Sequence, residues 1–287
     1  MKKNFRQARV VGQGMPIFFM AEHLKKAGIP VEVMEYSPLD ETKHTLPELF
    51  KKEGINHEIL KGNQIHDKLR AINNECFVLS VWNYLFLKPD VTKKENLTIV
   101  NCHEGLLPEY GGLNGPSWAI YNQEKHSGLT WHYVNEGLDT GTILHKVKIP
   151  ITEHMTSREL DYKGWDAMND TFDLVFKKVL NSEKGESQTS RPNIYTKHDI
   201  PNGGMLDVNA PIDKTYAFLR AMATYNNELG IPKVDINGKR YTWSDFHMWE
   251  TPVFEKKSVQ VIHDTMFIME KKNTLAITGL QPEKEKH

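Results

Sequence analysis

Chemically active side chains stand at the end of an apolar run in the stretch TIVNCHEGLLPEYGG, from Thr98 to Gly112. Asn101, Cys102 and His103 follow a β-like segment, and a loop rich in Gly and Pro comes next. A buried core strand has little use for an amide, a thiol and an imidazole in a row. Parallel-sheet enzymes bind ligands beyond the carboxyl ends of their strands. The pattern therefore predicts a site at the end of this strand.

Alternate side chains of a β-strand share one face of the sheet. Asn101 and His103 are therefore expected to point to one side, and Cys102 to the other. This alternation argues against a Cys102–His103 nucleophile pair and predicts that Cys102 is a small core residue.

A third candidate is Asp139, in the turn NEGLDTG between the strand-like runs Gly128 to Val134 and Gly141 to Ile151. With Asn101 and His103, this carboxylate completes a set consisting of an oxyanion donor, an acid/base group and a group that orients it. The 13 histidines are scattered, and no His/Asp/Glu group has metal-ligand spacing. We therefore predict no metal.

The surrounding elements alternate between strands and helices, which indicates an α/β fold with a parallel sheet and helices on both faces. A long helix is expected after Thr156, which has capping-box spacing with Glu159. The expected strands are Ala8 to Gln13, Pro30 to Tyr36, Cys76 to Trp82 and Leu97 to His103, and the expected helices are Met15 to Gly28, His44 to Gly54 and Gln64 to Asn74.

Shifts in composition predict two domains. Residues 1–183 are expected to form the catalytic domain, and residues 184–200, which include the polar run KGESQTSRPN, a linker. Residues 201–287 are expected to form a smaller β-rich domain with one helix and an OB-like arrangement of strands, because their apolar runs are strand-like.

The bulk composition excludes several classes of protein. The 287 residues carry a net charge of −1, with 39% hydrophobic and 25% charged residues, so no global field recruits nucleic acid or an anionic membrane. The sequence has no apolar run of the length that a membrane-spanning helix needs. The near-neutral charge favours a small-molecule partner. Because the sequence has only two cysteines, Cys76 and Cys102, we expect a cytoplasmic location.

The run VGQGMP near the start resembles a dinucleotide-binding turn only in part. It has Gly12 and Gly14, but Phe18 stands near the third glycine position. A tight strand-to-helix turn explains both glycines as well. A Rossmann oxidoreductase therefore stays an open alternative.

The chain resembles the folate-dependent N-formyltransferases in three motifs that follow the family's order: NCHEGLLPEYGG, WAIYN and GLTWHYVNEGLDTG. The resemblance is dense from Cys76 to Ile151. It implies a Rossmann-like catalytic domain, N10-formyltetrahydrofolate as the formyl donor and a primary amine as the acceptor.

The resemblance also implies catalytic roles. Asn101 would hydrogen-bond the formyl oxygen and stabilise the oxyanion, and His103 would act in proton transfer. Asp139 would orient His103 or help to relay the proton from the attacking amine. Which of His103 and Asp139 takes the proton is left open.

The same resemblance implies a pocket for the pterin ring of the donor. Trp82, Asn83 and Tyr84 would line one side of it, and Gly137 and Leu138 the opposite wall. Ordinary core packing explains Trp82 and Tyr84 equally well.

Within the family, the loop LPEYGGLN most resembles the nucleotide-sugar N-formyltransferases, in which Arg is usual at the position of Gly111. This resemblance implies a 4,6-dideoxy-amino-hexose on a nucleoside diphosphate as the acceptor. Tyr110, Asn114 and Thr130 are the candidate acceptor contacts. Core packing would also account for Tyr110, a turn for Asn114, and the β-forming preference of threonine for Thr130.

Further possibilities stay open, among them a formyltransferase that acts on another amine. Methionyl-tRNA formyltransferases also have a second β-rich domain, but the chain shows no cluster of phosphate-neutralising cations. A catalytically silent folate- or nucleotide-binding relative would share the fold. The second domain is also a candidate for a homodimer contact, because TWSDFHMWETPVF, from Thr242 to Phe254, is rich in aromatic residues.

Overall fold

The computed structural model describes residues 3–37, 46–224 and 229–283. The chain forms two compact units that are interleaved in sequence. The linear division at residues 183 and 201 remains a prediction about independently folding domains. The first unit comprises Met1–Gly115, Gly128–Ile149 and Tyr162–Tyr195, and the second comprises Pro116–Ser127, Pro150–Asp161 and Thr196–His287.

The first unit is built on a seven-stranded sheet that is mostly parallel. Its strands and those of a two-residue ladder are β1 (Gln7–Gly12), β2 (Val31–Tyr36), β3 (Asn56–Leu60), β4 (Cys76–Val81), β5 (Leu97–His103), β6 (Gly111–Gly112), β7 (His126–Tyr133), β8 (Ile143–Pro150) and β9 (Ile194–Tyr195). The order in the sheet is β3-β2-β1-β4-β5-β7-β8, while β6 pairs with β9. Strands β1 to β5 pair in parallel, and β7 runs antiparallel to β5.

Helices cover both faces of this sheet, as predicted. On one face, Ile17 and Leu24 of the first helix and Phe172 of the sixth pack against Val100 of β5. On the other face, Ile65 of the third helix packs in a second buried cluster. Over the whole described part of the chain the helices are α1 (Gly14–Lys26), α2 (Pro47–Lys52), α3 (Gly62–Arg70), α4 (Pro89–Thr92), α5 (Gly115–Tyr121), α6 (Ser157–Leu180) and α7 (Ile212–Met222), of which α7 and nearly all of α5 belong to the second unit.

Two differences from the sequence expectations stand out in this unit. Strand β3 was not predicted, because four of its five side chains are exposed or half-buried and Asn56, His57 and Glu58 give it no apolar run. The helix expected from His44 begins at Pro47, and the first two residues of that expectation lie outside the described part of the chain. Neither difference changes the predicted α/β class, which is confirmed.

The second unit is β-rich, as predicted, and its core gathers around α7. Phe218 and Met222 of α7 pack with Val234, Ile268 and Leu275. Its strands are β10 (Met205–Leu206), β11 (Lys233–Ile236), β12 (Lys239–Thr242), β13 (Asp245–Ile262), β14 (Thr265–Thr278) and β15 (Gln281–Pro282). They form a four-stranded sheet, β10-β11-β12-β15, and a two-stranded ribbon of β13 and β14, while the OB-like arrangement stays a prediction.

Helix α6 starts with the capping box that the sequence predicted. The Thr156 N–H and hydroxyl each donate to Glu159 Oε2 at 2.8 Å, and the Glu159 N–H donates back to Thr156 Oγ1 at 3.3 Å. Among the residues that the structure describes, no helix is both long and apolar enough to span a membrane.

We expect Thr156→Ala to lower the free energy of unfolding by about 1 kcal/mol, because the first turn of α6 loses its side-chain acceptor. Urea denaturation followed by circular dichroism measures the change. Thr152→Ala is the matched control, since Thr152 is exposed and precedes the helix. Equal stability of the two variants would contradict a role of the cap.

Candidate active site

The antiparallel pairing of β5 and β7 gathers four polar side chains on one face of the sheet. Asn101 lies opposite His132, and His103 lies opposite Thr130. Between these pairs, Cys102 lies opposite Trp131, and both belong to the hydrophobic core on the other face. The predicted alternation of Asn101 and His103 against Cys102 therefore matches the structure.

The rings of His103 and His132 both make hydrogen-bond contacts near the end of β5. Asn101 Nδ2 lies 3.2 Å from His132 Nε2, within hydrogen-bond distance. His103 Nε2 donates to the carbonyl oxygen of Tyr110 at 2.5 Å. His132 Nδ1 lies 2.8 Å from the carbonyl oxygen of Tyr133. Both rings are buried, so these contacts fix their orientations.

Asp139 places its carboxylate between the two imidazoles. One oxygen, Oδ2, lies 3.6 Å from His103 Nδ1, and the other, Oδ1, lies 3.5 Å from His132 Nε2. The Gly112 N–H donates to Oδ2 at 2.7 Å. The side chain of Asp139 is only 8% exposed. The structure thus brings Asn101, His103 and Asp139 into one site.

The surroundings of Asp139 keep it ionised. Burial alone would raise the pKa of this carboxyl, but the neighbouring imidazoles of His103 and His132 and the Gly112 N–H together hold the pKa well below its usual range. The site therefore contains a fixed negative charge at neutral pH. Such a charge can orient an imidazole and stabilise its protonated form.

Thr130 is fully buried and engages the loop that follows β5. Its hydroxyl donates to the Gly105 carbonyl oxygen at 2.7 Å and accepts the Leu107 N–H at 3.1 Å. Both functions of the hydroxyl are used within the protein, and the side chain has no exposed surface. Thr130 therefore holds the loop in place, and its contact with an acceptor remains a prediction.

The other two candidate acceptor contacts lie farther along this loop. Tyr110 is buried and stacks on Tyr195, with ring centroids 6.1 Å apart and an interplanar angle of 13°. Asn114 is almost fully buried and has a φ of 59°, a left-handed conformation that Asn tolerates better than most residues. Their contact with an acceptor remains a prediction.

Gly111, which replaces the arginine usual in the resembled group, lies in β6 and pairs with Ile194 of β9. Its N–H donates to the Asn193 carbonyl oxygen at 2.8 Å. A Cβ at this position would lie 2.8 Å from Cβ of Pro192 and 3.1 Å from the Asn193 oxygen. The close approach of the downstream segment explains why no side chain is present here.

The residues predicted to line a pterin pocket have the following contacts. Trp82 is half-buried and meets Trp165 edge-on, with centroids 6.2 Å apart. Asn83 donates to Ser80 Oγ at 3.1 Å and accepts the N–H of Leu85 at 2.9 Å. Asn83 is therefore engaged with its own loop.

Two aromatic or apolar members of that predicted pocket are open to solvent. Tyr84 is 38% exposed and Leu138 is 42% exposed. The N–H of Gly137, on the second predicted wall, donates to Asn135 Oδ1 at 3.0 Å. The shared pocket of these two groups stays a prediction.

The sequence interpretation missed His132. Its signal was the period of two that it shares with Thr130 in the run GLTWHYV, but only the pairing of β7 with β5 shows which neighbour it faces.

Neither cysteine is suited to nucleophilic chemistry. Burial raises the pKa of Cys76 to about 11 and that of Cys102 well above its usual value. The two thiols are free. Within the described residues, no group of three or more His, Cys, Asp or Glu side chains could hold a metal ion. The side-chain groups available for chemistry at this site are an amide, two imidazoles and a carboxylate.

We expect Gly105→Ala to destabilise the site, because a Cβ there would lie 2.4 Å from the Tyr110 oxygen and 2.8 Å from His103 Nε2. The free energy of unfolding should fall by about 1–3 kcal/mol, as measured by urea denaturation. Gly164→Ala in α6 is the control, since its Cβ would meet only Trp82 at 3.5 Å. Similar stability of the two variants would contradict the steric account.

The charge of Asp139 should make its contribution to stability depend on pH. At pH 7 we expect Asp139→Asn to lower the free energy of unfolding by about 1–3 kcal/mol. Because the pKa is lowered in the folded state, this contribution is present above the pKa of the unfolded chain and is lost on acidification. The difference between wild type and variant should shrink below about pH 4. A difference that grows at low pH would contradict this account.

Comparison with known proteins adds an independent observation. Residues 10–173 match the family model described as formyl transferase. The structure is also similar to WlaRD, a sugar 3N-formyl transferase solved in the presence of dTDP and 5-N-formyl-THF, with a TM-score of 0.74. The two share 17% identity over 99% of this chain and 100% of that one, which is a likeness of fold.

Three relatives by sequence carry related names. The bifunctional polymyxin resistance protein ArnA of Wigglesworthia glossinidia brevipalpis is 29% identical over 184 residues, 63% of this chain and 27% of ArnA. Methionyl-tRNA formyltransferase of Clostridium beijerinckii is 28% identical over 220 residues, 72% and 67% of the two chains. GDP-perosamine N-formyltransferase of Brucella melitensis biotype 1 is 25% identical over 224 residues, 74% and 83% of the two chains.

The chain spans about a quarter of ArnA and about two thirds of the Clostridium enzyme. The family match itself covers more than half of the chain and includes the whole Asn101–Asp139 region. The chain therefore belongs to the formyl transferase family.

Proposed function

We propose that the protein transfers a formyl group from N10-formyltetrahydrofolate to the primary amine of a nucleotide-linked amino sugar. The observation that carries this proposal is the convergence of Asn101, His103 and Asp139, with the carboxylate 3.6 Å from His103. Membership of the formyl transferase family supports the reaction, and the donor named with WlaRD supports folate as the carrier.

The donor set fits a formyl group. When bound, N10-formyltetrahydrofolate supplies an activated formyl carbon, and attack by an amine on that carbon produces one oxyanion and one surplus proton. Asn101 Nδ2 carries two hydrogens, and only one of them can be directed at His132 Nε2. We assign the second hydrogen to the formyl oxygen, a contact worth about 2.7–4 kcal/mol of barrier.

The surplus proton needs a group beside the oxyanion donor. His103 lies two residues along the strand from Asn101 and faces the ionised Asp139. The carboxylate stabilises a protonated imidazole and holds its ring in place. We therefore propose that the His103–Asp139 pair takes the proton of the amine as the new C–N bond forms. The pair returns that proton to N10 of tetrahydrofolate as the bond from the formyl carbon to N10 breaks, which leaves a neutral amide.

An amino sugar fits the chain better than tRNA as the acceptor. The net charge of −1 provides no excess of cations for a phosphate backbone. The likeness to WlaRD extends over 99% of the chain, and a GDP-perosamine N-formyltransferase is among the relatives. We propose a 4,6-dideoxy-amino-hexose on a nucleoside diphosphate, near the loop of Tyr110 and Asn114. The methionyl-tRNA formyltransferase relative makes tRNA the second candidate.

We further propose a cytoplasmic location and a homodimer. The free, buried thiols of Cys76 and Cys102 suit a reducing compartment. Trp249, Val253 and Ile262 of β13 are exposed and supply apolar surface that a second copy would cover.

A formyl-transfer assay with N10-formyltetrahydrofolate and dTDP-, UDP- and GDP-linked amino sugars tests the proposal. Mass spectrometry should show one formyl group gained by one sugar. We expect His103→Asn to lower kcat by about 100-fold or more, because proton transfer loses its imidazole. His126→Asn is the matched control, since His126 is exposed at the start of β7.

Each other outcome overturns a defined part of the proposal. Formylation of methionyl-tRNA, with every sugar left unchanged, would show that the acceptor is wrong. Absence of folate binding would remove the donor. Full activity of His103→Asn would remove the proposed proton pathway.

A further inference from the structure

We propose that Gln188 is a positioning residue that holds Asp139 in place from the segment after α6. This inference rests on the proposed function, in which Asp139 orients His103. Gln188 lies in the polar run that the sequence predicted to be a linker, and it is 49 residues from Asp139.

The side-chain amide of Gln188 bonds to the backbone on both sides of the Asp-Thr-Gly turn. Its Nε2 donates to the carbonyl oxygen of Asp139 at 2.5 Å and to that of Gly141 at 3.0 Å. A primary amide nitrogen has two hydrogens, so each carbonyl receives one of them. Because both partners are acceptors, a carboxylate or an apolar side chain could not replace this amide.

The turn needs such a support because its backbone is strained. Asp139 has a φ of 52°, in the left-handed region that few residues other than glycine adopt. Hydrogen bonds to its carbonyl oxygen and to its carboxylate hold Asp139 in this conformation. Gln188 fixes the carbonyl end of Asp139, and the Gly112 N–H fixes its carboxylate at 2.7 Å.

The segment that carries Gln188 is anchored on both sides of it. Before Gln188, Glu186 exchanges two backbone hydrogen bonds with Ile143 of β8, at 2.7 and 2.8 Å. After it, Asn193 and Tyr195 accept the N–H groups of Gly111 and Leu113, each at 2.8 Å. The segment therefore joins the two loops that meet at the Asp139 carboxylate.

The amide oxygen separates positioning from simple stabilisation. Gln188 Oε1 is buried and has no hydrogen-bond partner in the described part of the chain. A buried polar atom without a partner opposes folding. An apolar replacement removes the donor of two carbonyl groups and also removes the unpartnered oxygen, so its two effects on stability oppose each other while the loss of positioning remains.

The test compares Gln188→Met, which keeps the length of the side chain but removes both donors, with Gln260→Met, an exposed position on β13. We expect Gln188→Met to lower kcat by about 10-fold to 100-fold, because a displacement of about 1 Å can have that effect. KM and the midpoint of thermal unfolding should change little. The control should match wild type in every measurement.

A double-mutant cycle shows whether Gln188 acts through Asp139. In the Asp139→Asn background, Gln188→Met should cause no further fall in kcat, because the group that it positions is already lost. Independent, additive losses would overturn the inference. A Gln188→Met variant with the kcat of wild type would also overturn the inference. The same holds if the loss of activity is fully explained by a loss of folded protein.

A second measurement keeps the inference separate from the proposed reaction. The ring resonances of His103 and His132 in NMR spectra should shift in Gln188→Met and stay unchanged in Gln260→Met, because both rings face the Asp139 carboxylate. Shifted resonances in a protein that formylates no amine would refute the reaction and retain the positioning. Unshifted resonances would overturn the positioning, whatever the activity.

Discussion

The antiparallel pairing of β5 with β7 is the constraint on which the rest of the site depends. It opposes Asn101 to His132 and His103 to Thr130, and it directs Cys102 and Trp131 into the core. If β7 slipped by one residue, each of its side chains would move to the opposite face of the sheet. Trp131 would then lie on the polar face, and the imidazole of His132 would lie in the core. The fully buried Trp131 thus enforces the register that the polar face needs.

Around this pair of strands, the protein buries a carboxylate and keeps it charged. A buried charge is unfavourable unless other groups compensate for it. For Asp139 those groups come from separate parts of the chain: His103 from β5, His132 from β7 and the Gly112 N–H from the short strand β6 between them. The resulting site has its charge in place before any substrate arrives, which is the arrangement that favours electrostatic catalysis.

The sequence predicted those features that depend on local patterns. Alternation along one strand predicted the shared face of Asn101 and His103, and apolar periodicity predicted the α/β class. Sequence patterns could not predict the features that depend on contacts between distant segments of the chain. His132 needed the register of β7, the two loop partners of Thr130 lie far from it in sequence, and the polar edge strand β3 had no apolar pattern. Asp139 was selected because it completes a set with Asn101 and His103, since an Asp-Thr-Gly turn alone is commonplace.

The ladder between Gly111 and Ile194 has a consequence for shortening this chain or recombining it with relatives. The loop after β5 is completed by chain that lies beyond the end of α6 at Leu180. A fragment cut at that helix would keep all seven strands of the main sheet, yet it would leave Gly111 and Leu113 without their backbone acceptors. A fragment that keeps this loop intact must therefore extend at least to Tyr195, and exchanges between relatives must transfer the loop and its distant partner strand together.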